Sequence, residues 1–253
     1  MIPKVIHYCW FGNNSKNYMA TKCINSYLTL NKGIKIIEWN ELNSDLNSTN
    51  FVIQAYKNKA WAFVSDYVRL KALYDYGGIY LDTDIEIKRE FQESFFHADL
   101  VLGYMYDDTI STALIMAKPK HPFIKKLLDC YKSMEFNPNI PNNELMTLEL
   151  LDYYPKFKLN GFFQEFDTRG FIYPKNYFEE PTLFLHKEGG YSVHHFMGSW
   201  HGKKNTLKSK LRPIIKYILF HSHLINWIYQ KVNRKIYLKK SRFYQRYLND
   251  TRI

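Results

Sequence analysis

The chain of 253 residues is poor in glycine, proline and cysteine, the residues that mark several special classes of protein. It contains only 11 Gly, 9 Pro and 3 Cys. By contrast, 46% of its residues are hydrophobic and 17% are aromatic. A collagen-like or disordered chain is excluded, because this composition can bury enough apolar surface to offset the entropy lost on ordering. We therefore expect a globular domain with a real core.

Cysteine pairs and long apolar runs are also missing. Cys9, Cys23 and Cys130 lack the CxxC spacing of a zinc site or a disulfide framework, and we interpret them as structural thiols in a reducing cytosol. No window approaches the roughly 18 uninterrupted apolar residues of a membrane span. The first residues show no charged segment followed by an apolar stretch, so no secretion signal is visible. The sequence thus predicts a cytoplasmic location.

Positive charge is concentrated at one end of the chain. Residues 201–253 contain 14 Lys and Arg but one acidic residue, whereas residues 1–200 carry a net charge of −2. Basic residues alternate there with Leu, Ile, Trp and Tyr, which predicts two or three amphipathic helices. We therefore divide the chain into a domain at 1–202 and a basic helical extension at 203–253. Such an extension suits an anionic membrane surface; a solvated or dimerising helical hairpin, or a nucleic-acid-binding tail, is the alternative.

Within the first 200 residues, short β-branched and aromatic runs alternate with segments of helical periodicity, which predicts an α/β fold. A Gly77-Gly78 pair marks the end of the most regular helical segment. Strands are predicted at 4–11, 35–39, 79–87, 100–104, 113–117 and 192–196, and helices at 20–30, 60–76, 121–133 and 144–153.

The most informative segment is Tyr80-Leu81-Asp82-Thr83-Asp84. In a strand, residues two apart share a face, so we expect Tyr80, Asp82 and Asp84 to project together. Two hard oxygen donors at the end of a strand suit Mg²⁺ or Mn²⁺ that bridges a diphosphate. The alternative is an exposed turn with two solvated carboxylates.

Asp66 and Arg69 lie three residues apart on the helix that leads into this segment. Residues at this spacing lie on one side of a helix. A carboxylate can accept hydrogen bonds from ribose hydroxyls, while a guanidinium can neutralise a carboxylate or bind an oxyanion in a fork. The alternative is an ordinary salt bridge on the helix surface.

Taken together, residues 2–12, 62–69 and 74–84 resemble the glycosyltransferases with a sugar-binding DXD motif. This family includes bacterial capsular and lipopolysaccharide transferases, yeast initiating mannosyltransferases and the catalytic domains of clostridial glucosylating toxins. The resemblance covers roughly residues 1–200 and implies a GT-A type, Rossmann-like nucleotide-sugar fold. It also implies retaining transfer of a hexose, such as galactose or glucose, from a UDP-sugar to a glycan hydroxyl in capsular or surface polysaccharide synthesis.

The resemblance assigns a role to each motif residue. Trp10 would stack on the uracil or guanine base, and Asp66 and Arg69 would contact ribose or the donor sugar. Tyr80 would contact the donor, and Asp82 would contact ribose and metal-bound water. Asp84 would ligate Mn²⁺ or Mg²⁺ directly, and Asp82 is counted with it as a metal-site residue. The residues expected to act in catalysis are Asp66, Arg69 and Asp82.

Residues 191–200 are similar to the family's His-containing segment that ends in Ser-Trp. A neutral imidazole is a good ligand for Mn²⁺, and Ser199 and Trp200 would cover the diphosphate. Alternation places His194 and His195 on opposite faces, and we prefer His194 as the ligand.

Other segments leave specificity open. Ser111-Thr112 stands where many relatives carry Asn, and Pro141-Asn142-Asn143 replaces a Gly-Pro turn. Asp107 and Asp108 would either face the acceptor or be solvated in a loop.

The resemblance and the basic extension together predict the binding partners: a nucleotide sugar, a glycan acceptor such as a polyprenyl-linked one, and the inner face of the cell membrane. We do not expect the protein to bind nucleic acid. Two other functions compete with this one. They are nucleic-acid binding by the extension, and metal-dependent nucleotidyl or phosphoryl transfer, which also uses paired aspartates.

Overall fold

A computed structural model describes residues 1–30, 33–138, 142–179, 190–197 and 232. Ser199, Trp200 and, apart from residue 232, the predicted extension at 203–253 lie outside the described residues. The helices are α1 (Tyr18–Leu30), α2 (Asn50–Lys57), α3 (Trp61–Tyr76), α4 (Glu93–Phe96), α5 (Pro122–Ser133), α6 (Asn142–Tyr153) and α7 (Lys175–Phe178). The strands are β1 (Val5–Cys9), β2 (Lys35–Trp39), β3 (Gly78–Leu81), β4 (Ile85–Ile87), β5 (Leu100–Tyr106), β6 (Thr109–Ile110), β7 (Leu114–Ala117), β8 (Gln164–Asp167), β9 (Gly170–Tyr173) and β10 (Ser192–His194).

The central sheet is mixed and follows the order β2-β1-β3-β7-β5-β9-β8, with β6 paired to β5. β1 lies parallel to β2 and β3, and β5 lies parallel to β9. β7 runs antiparallel between β3 and β5, so β1, β2, β3, β5 and β9 all run in one direction. Their carboxyl ends meet at one edge of the sheet, which is where ligands bind in open α/β sheets. The α/β prediction is confirmed.

Hydrophobic residues are buried on both faces of this sheet. One core cluster joins the sheet to α2, α3, α5 and α6, and the other joins it to α1, α4 and α7. Adjacent residues of β3 supply opposite faces, since Tyr80 belongs to the first cluster and Ile79 and Leu81 to the second. The cysteines are free thiols, and burial raises the pKa of Cys9 and of Cys23 to about 12, as expected of structural thiols.

The turn from α3 into β3 depends on two glycines. Gly77 has φ +65° and Gly78 has φ +106°, a region that L side chains rarely adopt. A Cβ atom at Gly78 would lie 2.4 Å from Val5 Cγ1 and 2.5 Å from the Val5 carbonyl oxygen. Glycine therefore lets the helix reverse directly into a strand that packs beside β1.

The prediction of one continuous strand over 79–87 is wrong. β3 ends at Leu81, after which the Asp82 N–H donates to the Ala113 carbonyl (2.8 Å) and the Ile85 N–H donates back to the Asp82 carbonyl (2.9 Å). That second hydrogen bond closes a turn, and β4 then pairs with β10 in a separate two-stranded sheet. Asp82 and Asp84 therefore belong to a turn between two sheets, and they do not share a strand face with Tyr80.

Six elements have no counterpart among the ranges predicted above, namely α2, α4, α7, β6, β8 and β9. Most of these elements are only two to four residues long, so their apolar residues cannot repeat often enough to show a helical or strand period. Among the described residues, none of the helices combines the length and apolar character needed to cross a bilayer.

Candidate functional site

Five of the predicted site residues come together at the carboxyl edge of β1 and β3, while Ser199 and Trp200 lie outside the described residues. Asp66 and Arg69 come from α3, Asp82 and Asp84 from the turn after β3, and His194 from the end of β10. Their contacts form a series along the turn: Arg69 pairs with both Asp66 and Asp82, and Asp84, two residues beyond Asp82, pairs with His194. This series is called the acidic cluster below.

Arg69 is the hub of the acidic cluster. Its guanidinium Nη2 lies 3.0 Å from Asp66 Oδ1 and 3.2 Å from Asp82 Oδ1, while Nη1 donates to the Thr112 carbonyl at 2.7 Å. The Nε group donates to the Ser65 carbonyl at 3.2 Å. Since only 5% of the Arg69 side chain and 9% of the Asp66 side chain are exposed, this is a buried ion pair and not the helix-surface salt bridge of the alternative reading.

Tyr80 lies beneath Asp82 and Arg69. Its hydroxyl donates to Asp82 Oδ1 (2.8 Å), and the Arg69 guanidinium carbon lies 4.6 Å from its ring centroid. Tyr80 is only 1% exposed. The structure thus places Tyr80 where it orients Asp82 and stacks on Arg69, with its ring turned into the core.

Burial and mutual repulsion shift the pKa values of the carboxyls. Burial raises the pKa of Asp66 to about 7, although Arg69 opposes this shift and Asp82 adds to it. Burial likewise raises the pKa of Asp82, where Arg69 again opposes and the neighbouring Asp84 charge adds. Carboxyls with raised pKa values that face one another favour a bound cation, since its charge relieves the repulsion.

Asp84 and His194 form the other end of the acidic cluster. His194 Nε2 lies 3.3 Å from Asp84 Oδ1, and the Met197 N–H donates to Asp84 Oδ2 at 2.8 Å. Burial alone would lower the pKa of His194, but the negative charges of Glu179 and Asp84 outweigh it and raise that pKa well above its ordinary value. His194 is the histidine that we preferred, and the structure places it against Asp84.

The neighbouring His195 ring contacts a different carboxylate, that of Glu86. Its Nε2 lies 2.8 Å from Glu86 Oε2, and Glu86 also pairs with Lys22 (3.0 Å) and Lys88 (2.6 Å). Burial lowers the pKa of His195 despite the hydrogen bond to Glu86. The two neighbouring histidines therefore contact two different carboxylates.

The donor atoms of the acidic cluster suit a divalent cation in their chemistry. Asp82, Asp84 and His194 offer two carboxylates and an imidazole, a donor set that Mn²⁺ accepts. In the part of the chain that the structure describes, no group of three or more His, Cys, Asp and Glu side chains is arranged to hold a metal ion. A cation here would therefore need further ligands, and diphosphate oxygens and water are the natural ones.

Trp10 follows β1 at the same edge of the sheet. Its backbone N–H donates to the Trp39 carbonyl (2.8 Å), and its indole N–H donates to the Asn14 carbonyl (2.7 Å). The Lys16 ammonium lies 5.7 Å from the ring centroid. The indole is half-buried and held along one edge, so a planar base could stack on it.

Two residues in contact with the acidic cluster were not among the predicted site residues. The Asn142 amide donates to Asp66 Oδ1 and its side-chain carbonyl oxygen accepts from Thr112 Oγ1 at 3.0 Å; the departure of the sequence at 141–143 from the family pattern was the only signal for it. Glu179 lies 2.6 Å from His194 Nδ1, and no spacing in the sequence connects it with the DXD segment.

Asp107 and Asp108 differ in their surroundings. The Asp107 side chain is about half exposed, and its Oδ1 atom lies 3.3 Å from the Lys175 ammonium. Asp108, by contrast, is buried.

Residues 18–101 match the family described as "Glycosyltransferase sugar-binding region containing DXD motif". This segment is similar to a glycosyltransferase sugar-binding region. The matched residues include α3, the Gly77-Gly78 turn, Asp82 and Asp84, so the match supports the resemblance over the segment that carries its DXD motif. Trp10 and His194 lie outside the matched residues.

Similar solved structures also include glycosyltransferases. The PaToxG glycosyltransferase is 18% identical, with a TM-score of 0.47 over 61% of this chain and 70% of that chain. A transferase with two cysteine-to-serine substitutions is 10% identical, with a TM-score of 0.42 over 59% of this chain and 84% of that one. A glycosyltransferase involved in glycosylation of the major capsid of PBCV-1 is 10% identical, with a TM-score of 0.38 over 69% and 84%. No curated protein matches the chain.

Proposed function

We propose that this protein is a retaining glycosyltransferase that moves a hexose, such as galactose or glucose, from a UDP-sugar to a glycan hydroxyl with Mn²⁺ or Mg²⁺. The observation that carries the proposal is the position of the acidic cluster. Its buried Arg69 contacts both Asp66 and Asp82, and Asp84 follows at the carboxyl end of β3 within the matched glycosyltransferase region. This edge of an α/β sheet is the expected place for a nucleotide ligand.

Asp84 and His194, assisted by Asp82, would hold the cation. When bound, the cation supplies positive charge that stabilises the leaving diphosphate. Tyr80 and Arg69 restrain Asp82 through its Oδ1 atom, so its carboxylate keeps one orientation while the donor binds. A carboxylate that is already held in place needs less rearrangement when the transition state forms.

Donor binding would extend from β1 to α3. Trp10 would stack on the base, because a flat indole covers a base at small entropic cost. Asp66 would accept hydrogen bonds from ribose or sugar hydroxyls, and Arg69 would lie near the donor sugar. Ser199 and Trp200 would close over the diphosphate and exclude water.

We further propose that residues 1–202 form the catalytic domain and that the basic extension at 203–253 binds the anionic inner face of the membrane. Each basic residue near such a surface contributes roughly 1 kcal/mol. A polyprenyl-linked glycan, as used in capsular or surface polysaccharide synthesis, would then be within reach as the acceptor.

The test is Mn²⁺-dependent release of UDP from a panel of UDP-sugars by the wild-type protein and by Asp84→Ala. We expect the variant to lose at least about 100-fold in rate, since charge stabilisation of the leaving group is among the largest catalytic effects. Asp75→Ala is a matched control, because Asp75 lies at the end of α3 and pairs with Lys120 on the surface.

Full activity of Asp84→Ala would contradict the role of Asp84. Release of UMP or pyrophosphate in place of UDP would contradict glycosyl transfer and favour a nucleotidyl transferase.

A further inference from the structure

Glu179 is a fully buried carboxylate next to the acidic cluster. It is 0% exposed, and both of its carboxylate oxygens have partners. Ser111 Oγ donates to Oε1, and His194 Nδ1 lies 2.6 Å from Oε2. Because an unpaired buried carboxylate is costly, these two partners decide how the side chain is oriented.

The backbone around Glu179 also fixes the position of His194. Glu179 follows α7, and its carbonyl accepts from the His194 N–H at 3.1 Å. Ser192 Oγ donates to the Phe178 carbonyl at 2.6 Å. The end of α7 and strand β10 are thus tied together by main-chain and side-chain hydrogen bonds, and the His194 ring lies between Glu179 and Asp84.

We propose that Glu179 is a positioning residue that holds the His194 ring through Nδ1 and so directs Nε2 toward Asp84, where a cation bound to Asp84 would meet it. A carboxylate oxygen accepts, so the nitrogen that faces Glu179 donates. Asp84 is a carboxylate too, so Nε2, 3.3 Å from its Oδ1, also carries a hydrogen while no cation is bound; a cation held by Asp84 would take the place of that hydrogen, which leaves to water. This inference rests on the proposed metal site.

The same arrangement is general in metalloproteins, where a ligating histidine donates its second ring N–H to a carboxylate. Loss of such a partner typically weakens metal binding by about 10–100-fold. Glu179 would therefore control metal affinity without contacting the metal or the donor.

A second carboxylate and histidine pair provides an internal control. Glu86 lies 2.8 Å from His195, but His195 contacts it through Nε2, and Lys22 and Lys88 share its charge. The pair has similar chemistry, but the His195 ring contacts Glu86, and His195 meets Asp84 through its backbone N–H, which donates to the Asp84 carbonyl at 2.9 Å.

The experiment measures Mn²⁺ affinity of the full chain by the EPR signal of free Mn²⁺, with UDP present. Glu179→Met should weaken binding by about 10–100-fold. Glu179→Gln should weaken it less, because an amide oxygen can still accept from Nδ1–H. Glu86→Gln should change the affinity by less than about twofold, since its side-chain partners are His195, Lys22 and Lys88 and none of them is a proposed ligand.

A second readout is ¹⁵N NMR of the His194 ring in the wild-type protein saturated with diamagnetic Mg²⁺ and UDP. We expect a hydrogen bonded to Nδ1 in the wild type and in Glu179→Gln. A hydrogen found on Nε2 in the wild type would overturn the inference, whatever the folding of Glu179→Met. Wild-type affinity in folded Glu179→Met would also overturn it.

The proposed function and this inference fail in different ways. If Mn²⁺ binds the wild type and not Asp84→Ala, while Glu179→Met binds normally, the metal site stands and the role of Glu179 is wrong. If the wild type binds no Mn²⁺ with UDP, both the metal site and the role of Glu179 are wrong.

Discussion

Replacing Asp66 with Asn should remove a pH-dependent loss of stability. Asp66 is 7% exposed, and burial raises the pKa of its carboxyl to about 7 from an ordinary value of 3.8. Arg69 Nη2 and the Asn142 amide both contact the same atom, Oδ1. An amide oxygen can replace Oδ1, so Asp66→Asn resembles the protonated carboxyl in shape and in contacts.

The sign and size of the effect follow from proton linkage. Between pH 3.8 and 7 the folded protein binds more protons at this site than the unfolded chain does, so its stability falls as the pH rises through that window. A tenfold change in a protonation equilibrium corresponds to about 1.4 kcal/mol of free energy. Between pH 5 and 7 the wild-type protein should therefore lose about 2 kcal/mol relative to Asp66→Asn.

The assay is urea denaturation of both proteins at pH 5, 6 and 7 with EDTA present, so that no cation occupies the acidic cluster. Asp75→Asn on the same helix is the control. Although partial burial opposes it, hydrogen bonds from Lys120 and Lys71 lower the pKa of Asp75, so this carboxyl is ionised in both states across the range. If the stability difference between wild type and Asp66→Asn were the same at every pH, the raised pKa would be refuted.

Three further outcomes are expected. Arg69→Met should destabilise the protein by about 3–5 kcal/mol, because it leaves buried carboxylates without their cation; a wild-type denaturation midpoint would contradict the hub role. Gly78→Ala should cost more than the roughly 1–3 kcal/mol of a strained backbone, since its Cβ would overlap Val5. A Cβ atom at Gly33 would have no neighbour within 4 Å, so Gly33→Ala should cost only the backbone strain. Equal decreases in the melting temperatures of the two variants would contradict this reasoning. Deleting residues 203–253 should release the protein from anionic liposomes in a sedimentation assay, and unchanged partitioning would exclude the membrane role of the extension.

Local sequence patterns were enough to predict the α/β fold class and to single out residues that the structure brings together in the acidic cluster. The regular apolar spacing of residues 60–76, the glycine pair and the β-branched run after it predict a helix, a turn and a strand, and these are α3, Gly77-Gly78 and β3. These signals act over a few residues, so they can be read without knowing the rest of the molecule. The strand was extended too far because alternation continues through residues 82–87, while the change of hydrogen-bonding partner from β7 to β10 leaves no local trace.

By itself, the sequence determined which residue types could bind a cation and a nucleotide sugar, since that depends on functional groups and short spacings. Only the tertiary structure decided that Arg69 is buried between two carboxylates and that Glu179 lies behind His194. The physical reason is that both facts depend on contacts between elements distant in the chain. Burial, which sets the pKa values and the cost of an unpaired charge, exists only once those elements pack together.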